Sequence, residues 1–226
     1  MLNNIAEKVV YDDGYFEYSI KPLGYALAIA LIVVIFAIIA TMITQKGKKA
    51  AFNTKQLVFC SLALSLGTVT STMAVFELPA GGSVTLCSML FISMIGYWYG
   101  AKIGILSAVA YGILQLIIKP YVIGLPQLFF DYILAFGALG FSGFFSNKKY
   151  GLLKGYTASI LGRLLFATLS GVIFFASSAP EGQNVWIYSI TYNASYIIPE
   201  AIATFIVIAI PAVNAAFNQV KKLTLE

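Results

Sequence analysis

Four polar side chains interrupt otherwise apolar stretches of this sequence, and they are the residues that can do chemistry. They are Asp131, Arg163, Asn193 and Glu200. An ionisable or strongly hydrogen-bonding group inside an apolar stretch is costly, so each of them is a candidate for binding a ligand or an ion. A carboxylate and an amide can hold a small polar molecule without reacting with it.

Aromatic residues accompany these polar groups. Tyr188, Tyr192 and Tyr196 recur at four-residue intervals and share one helix face, and Tyr132 follows Asp131 directly. Helical rise places a set of these side chains in the outer half of the bilayer: Tyr121, Asp131, Tyr132, Phe175, Tyr188, Tyr192 and Asn193. Such a pocket, open to the outside, suits a small planar or cationic ligand.

Each candidate also has a structural interpretation, and the sequence leaves both open. A tyrosine can anchor a helix at the membrane interface, and Asp131 can cap a helix N-terminus. Glu200 can satisfy backbone groups freed by Pro199, and Glu77 can be interfacial. Arg163 can extend towards the cytoplasmic interface.

Enzymatic chemistry is disfavoured by the residues that the sequence lacks. There is no histidine, and the two cysteines, Cys60 and Cys87, lie far apart in apolar runs. Serine and cysteine triads and H-E-x-x-H zinc sites are therefore excluded, and no phosphate-binding G-x-x-x-x-G-K-[ST] loop is present. We expect no enzyme activity, no metal, no cofactor and no nucleic-acid partner.

Composition indicates that these residues lie in a membrane protein. Of the 226 residues, 60% are hydrophobic and 10% are charged, whereas soluble domains carry about 25% charged residues. Seven apolar segments are predicted to span the bilayer: Leu23–Ile43, Leu57–Val75, Val84–Tyr97, Ile103–Ile118, Gln127–Phe145, Tyr156–Ala176 and Tyr188–Ala216. The predicted fold is an all-α membrane bundle in the cell membrane.

Lysine placement predicts the orientation. With an outside N-terminus, ten lysines fall on the cytoplasmic side: Lys46, Lys48, Lys49, Lys55, Lys102, Lys148, Lys149, Lys154, Lys221 and Lys222. Only Lys8, Lys21 and Lys119 fall outside, as the positive-inside rule requires. The C-terminus is then inside.

The chain divides into five predicted segments. An extracellular segment (1–22) precedes an additional transmembrane helix (23–44) and a basic cytoplasmic linker (45–55). A six-helix substrate-binding domain (56–217) and a cytoplasmic tail (218–226) follow. In the second span, Ser61, Ala63, Ser65 and Gly67 form a strip of small residues at helical spacing. Such a strip permits close approach of a helix, either within the bundle or from a separate membrane subunit.

Several stretches occur together in an order that is similar to a known family. They are Leu78–Met89, Tyr111–Gln115, Gln127–Phe136, Ser170–Phe175 and Tyr188–Asn193. Over about residues 55–215 the chain resembles the thiamine-binding substrate-capture subunit (S component) of energy-coupling factor (ECF) vitamin transporters. The resemblance implies a six-helix bundle in a bacterial plasma membrane that binds the vitamin near its outer face. It also implies a membrane coupling subunit and two cytoplasmic ATPases as partners.

The resemblance assigns roles to individual residues. Asp131 matches the acidic residue, commonly Glu, that meets the aminopyrimidine ring, with Tyr132 beside it. The other implied ligand contacts are Tyr121, Gly171, Tyr188 and Asn193. Ser61, Ala63, Ser65 and Gly67 match the face that docks on the coupling subunit.

Two positions depart from the family pattern. Thiamine binders have a histidine four residues before the Gly171 position and a tryptophan four residues after it, and these two rings enclose the thiazolium. Here the residues are Ala167 and Phe175. An S component for thiamine or a close relative is therefore the leading hypothesis. The alternatives are an S component for another vitamin or heterocycle, a membrane enzyme, and a channel or structural membrane protein.

Overall fold

The computed structural model describes residues 6–10, 16–20, 54–78 and 82–225. Within these ranges seven helices follow one another: α1 Thr54–Thr72, α2 Ser88–Tyr99, α3 Ala101–Ile118, α4 Leu125–Phe145, α5 Gly151–Phe174, α6 Val185–Ala209 and α7 Pro211–Leu225. Two antiparallel hairpins complete the described part, β1 Ala6–Val10 with β2 Phe16–Ile20, and β3 Ala74–Glu77 with β4 Ser83–Thr85. Strand β2 lies against a short 3-10 turn, Ala176–Ser178.

Four of the described helices, α3 to α6, are long and apolar enough to cross a membrane. Helix α2 has 12 residues, so it extends about 18 Å, short of a hydrocarbon core of about 30 Å. The predicted span Leu23–Ile43 lies outside the described residues, as does nearly all of the basic linker. The count of seven spans and the outside N-terminus remain predictions.

The second and third predicted spans are shortened by the β3–β4 hairpin. Helix α1 ends at Thr72 rather than Val75, and α2 begins at Ser88 rather than Val84. Val75, Val84 and Thr85, which lie in these strands, are β-branched, and β-branched side chains favour a strand. The strands pair in the register Ala74 with Thr85 and Glu77 with Ser83. The helix ends therefore differ from the predicted span ends by three and four residues, because these residues form strands instead.

The last predicted span divides at Pro211. Helix α6 ends at Ala209, and Pro211 begins α7, because a proline is favoured in the first helical turn and disfavoured later. Pro199, in contrast, lies within α6 without ending it. Helix α7 runs through the predicted start of the tail at residue 218. Its Asn218 accepts a hydrogen bond from the Tyr97 hydroxyl at 3.2 Å, so this segment packs against α2.

Helix α4 is irregular where Asp131 lies. Residues Phe129–Leu134 form a π-helical turn, a wider geometry that is frequent at functional sites. Gly112 of α3 lies directly beneath the Tyr132 carbonyl, where any side chain would clash. The glycine therefore lets α3 approach α4 closely and support the wide turn from one side.

Candidate ligand-binding site

One cavity of about 160 Å³ lies between α3, α4, α5, α6 and the β3–β4 hairpin. All seven residues that the sequence analysis proposed as ligand contacts line it: Tyr121, Asp131, Tyr132, Gly171, Phe175, Tyr188 and Asn193. The cavity combines carboxylate, amide and aromatic groups, as predicted for the pocket. Their contact with a ligand remains a prediction.

Asp131 faces this cavity from the π-helical turn. Its carboxylate accepts a hydrogen bond from the Gln127 side-chain amide. Gln127 is 1% exposed and is itself fixed, because it also donates to the Tyr121 carbonyl and accepts from the Ile123 amide, each at 3.1 Å. A carboxylate has about four acceptor sites, and Gln127 occupies one of them.

Tyr132 has a structural task that the sequence did not reveal. Its hydroxyl donates to the Lys119 carbonyl at 2.9 Å and accepts from the Tyr121 amide at 2.8 Å. These bonds fix the loop between α3 and α4. The hydroxyl's only proton is thus already committed, and the Tyr132 ring is the part of the residue that remains for a ligand.

Tyr121 and Phe175 form an aromatic pair at the rim of the cavity. Their ring centroids are 6.0 Å apart and the rings are 23° from parallel. Tyr121 is 40% exposed, which places this pair at the boundary with solvent. A flat ligand entering here meets two ring faces that are already aligned.

Asn193 is buried between α5 and α6. Its amide nitrogen donates to the Ala167 carbonyl at 3.2 Å and to the Ser189 carbonyl at 2.9 Å, and its oxygen accepts from the Tyr196 hydroxyl at 2.6 Å. Gly171 makes this packing possible, because any side chain there would clash with Ser189. Both residues therefore shape the wall of the cavity as well as lining it.

The predicted tyrosine column on α6 is present. Tyr188 and Tyr192 have ring centroids 6.1 Å apart, as do Tyr192 and Tyr196. All three line the cavity, so they form part of its wall in addition to any role in anchoring the helix at the membrane interface.

Glu200 connects α6 to the hairpin. Its carboxylate accepts four hydrogen bonds: from the Thr85 hydroxyl at 2.6 Å, the Thr85 amide at 3.3 Å, the Ser88 hydroxyl at 3.1 Å and the Met89 amide at 3.0 Å. Two of these donors lie at the N-terminus of α2, where a negative charge is favoured. Glu200 thus holds β4 and the start of α2, and does not serve backbone groups freed by Pro199.

The hairpin is also tied down at its far end. Glu77, at the end of β3, forms a salt bridge with Lys119, which lines the cavity from the end of α3. Both side chains are substantially exposed, so the pair contributes little to stability. The pair shows only that the end of β3 lies beside Lys119, a residue of the cavity wall.

The strip of small residues on α1 separates into two faces. Ala63 is 3% exposed and Gly67 packs on Ile92 of α2, so both lie inside the bundle. Ser61 and Ser65 are exposed on the opposite side. Ala63 and Gly67 are therefore not accessible to a docking partner in this structure. The two serines are the part of the predicted docking face that a partner can reach.

The helices form a membrane bundle that encloses a polar and aromatic cavity. This fold and this cavity are typical of membrane proteins that bind a small molecule. The family described as thiamine transporter protein (Thia_YuaJ) matches residues 57–219. The chain belongs to this family, which confirms the predicted resemblance, and it is a multi-pass membrane protein.

Two individual proteins support the assignment. The thiamine transporter ThiT of Bacillus subtilis (strain 168) is 38% identical over 148 residues, which cover 59% of this chain and 77% of that protein. A solved structure of ThiT from Listeria monocytogenes is similar with a TM-score of 0.60 and 21% identity, covering 75% of this chain and 96% of that one. The second similarity confirms the predicted fold class.

Proposed function

We propose that this chain is the substrate-binding S component of an ECF-type importer and captures thiamine at the outer face of the membrane. The observation that carries the proposal is the placement of Asp131 in one cavity with several aromatic rings. A carboxylate can accept hydrogen bonds from an aminopyrimidine edge, and the ring faces can stack on a flat cation. Thiamine supplies both groups in one molecule.

Formal charge in the cavity is consistent with a cationic ligand. Asp131, Glu200, Arg163 and Lys119 line it, and Lys119 is paired with Glu77 outside the lining. The three remaining charges sum to −1. A single positive charge, as on a thiazolium ring, brings the enclosed site to neutrality, which is favourable in a medium of low dielectric constant.

Transport should depend on partners. The sequence has no phosphate-binding loop. We therefore expect the purified chain to bind thiamine without partners, but to accumulate thiamine in vesicles only together with a coupling subunit and two ATPases. Vesicles containing the chain with or without these partners, assayed for labelled thiamine, test this. Uphill accumulation by the chain without partners or ATP would contradict the proposal.

The exposed serines of α1 are the proposed contact with the coupling subunit. Ser65→Trp is expected to reduce uptake by more than tenfold while thiamine binding to the isolated chain stays within about twofold, because the residue is remote from the cavity and a close helix contact excludes a large side chain. Leu165→Trp, at a position 56% exposed on α5, is the matched control. Equal uptake in the two variants would rule out this docking face.

A different heterocycle is the second candidate, and Ala167 is the observation that favours it. Ala167 lines the cavity but supplies no ring. We expect the parent to distinguish thiamine poorly from its hydroxymethylpyrimidine fragment. In Ala167→His a ring facing the thiazolium should add about 1–2 kcal/mol for thiamine alone.

Calorimetric titration of both ligands into the parent and the histidine variant measures this difference. The ratio of the two affinities should rise by about 5- to 30-fold in Ala167→His. An unchanged ratio would show that the thiazolium half does not lie beside residue 167. Binding of the fragment but not of thiamine would favour the second candidate.

A further inference from the structure

The N-terminal hairpin, β1–β2, lies beside the rim of the ligand cavity. Strand β2 lies against the 3-10 turn Ala176–Ser178, which follows α5. Phe175, just before this turn, and Ser178, at its end, both line the cavity. Ala176 and Ala179 are only 6% and 8% exposed, so part of this connection is shielded from solvent. The turn on which β2 rests is therefore itself part of the rim.

The register of the hairpin separates its residues into two faces. Cross-strand partners share a face, and successive residues of a strand alternate between the faces. The pairing places Ala6, Lys8, Val10, Phe16, Tyr18 and Ile20 on one face, and Glu7, Val9, Glu17 and Ser19 on the other. The first face is mainly apolar and aromatic, and the second is mainly polar and acidic.

An apolar face on a hairpin of this size needs a surface to pack on. Two strands of five residues are marginally stable in water by themselves. The part of the bundle beside β2 is the rim, and packing the apolar face there removes it from water. The polar face is then left to solvent, as expected for an antiparallel pair that covers a protein on one side.

The two hairpins of the described chain are attached to different parts of the bundle. Strand β4 is held by Glu200 of α6, and β3 ends beside Lys119 of α3. Strand β2, in contrast, lies on the connection between α5 and α6. The β1–β2 hairpin also lies outside residues 57–219, the part of the chain that matches the family. It is therefore an addition to the bundle that the family assignment does not explain.

We propose that the β1–β2 hairpin is a lid that closes over the mouth of the cavity with its apolar face towards the bundle. The hairpin moves away from the turn Ala176–Ser178 before a ligand enters or leaves. Such a lid slows entry and release alike, so it retains a captured molecule without changing which molecule is bound. The proposal rests on the proposed function in that thiamine is the ligand retained.

Phe16→Ser is expected to speed the release of labelled thiamine by at least about tenfold, because it removes an aromatic residue from the apolar face. Association should accelerate similarly, so Kd should stay within about threefold. Val9→Ser removes an apolar residue from the other face and is the matched control, with release within about twofold of the parent. Diluting each preloaded protein into excess unlabelled thiamine measures the release rate.

A cross-link tests the placement of the hairpin without relying on a ligand. Ser19→Cys on β2 and Ser177→Cys in the turn, combined with Cys60→Ala and Cys87→Ala, allow a cleavable bismaleimide to join the hairpin to the rim in the full chain. Joining the two after thiamine is loaded should slow its release by at least about tenfold, because the tether favours the closed lid. Cleavage of the reagent should restore the original rate.

The outcomes separate the lid from the proposed function. If the parent binds thiamine but Phe16→Ser releases it no faster than Val9→Ser does, the hairpin is not a lid and the proposed function stands. If each cysteine reacts alone but no cross-link forms, the apolar face rests elsewhere, such as on the membrane surface, and the lid is overturned. If the folded parent binds no thiamine, the proposed function fails, and the cross-link still decides where the hairpin lies. Should Phe16→Ser not fold, the cross-linked protein decides, and release as fast as after cleavage overturns the lid.

Discussion

Asp131→Asn is expected to weaken thiamine binding by at least tenfold while leaving the fold intact. The substitution removes the charge but keeps an oxygen that can accept the Gln127 hydrogen bond, so the π-helical turn should persist. Loss of one side of a buried charged hydrogen bond costs about 2–5 kcal/mol, and about 1.4 kcal/mol corresponds to tenfold. Calorimetric titration measures the effect.

Asp131→Glu is the matched control for this prediction. It retains the charge and adds one methylene, so it should bind thiamine more tightly than Asp131→Asn. Thermal unfolding of the three proteins establishes that the fold is retained. If the asparagine variant binds as well as the parent, the carboxylate does not contact the ligand and the thiamine assignment loses its main support.

Glu200→Ala should produce the largest loss of stability. It removes the acceptor of four hydrogen bonds and leaves the Thr85 and Met89 amides without partners in the interior. Each buried unsatisfied group costs about 1–3 kcal/mol, so the two amides together cost about 2–6 kcal/mol. Glu200→Gln keeps one acceptor oxygen but introduces donors, and its loss should be intermediate.

Unfolding of these variants in detergent, followed by circular dichroism, measures the loss. Glu181→Ala removes an exposed carboxylate near the start of α6 and should unfold as the parent does. A Glu200→Ala protein as stable as this control would show that the connection between α6 and the hairpin contributes nothing to the fold.

The membrane class could be predicted from the sequence because it depends on composition and segment length alone. The β3–β4 hairpin between α1 and α2 could not be predicted in this way. No charged residue occurs from α1 into β3 until Glu77, so hydropathy cannot distinguish the helix from the strand. The strands depend on pairing between residues up to eleven positions apart, such as Ala74 with Thr85.

The residues around the cavity were predictable to different degrees. A charge in an apolar run identified Asp131, and a repeat of tyrosines identified Tyr188. The role of Glu200 required the structure, since its partners lie more than one hundred residues away in the sequence. The small residues on α1 were predicted to form one docking face. They form two faces, because i, i+2 spacing places alternate members on different sides of a helix.

Mass spectrometry of the small molecules that purify with the chain tests the central claim most directly. The protein, expressed without coupling subunit or ATPases and washed extensively in detergent, should release thiamine on denaturation, in near-stoichiometric amount. The Asp131→Asn protein, prepared in parallel, should release at least tenfold less. Recovery of an unrelated heterocycle in stoichiometric amount, or of the same small amount of thiamine from both proteins, would contradict the account.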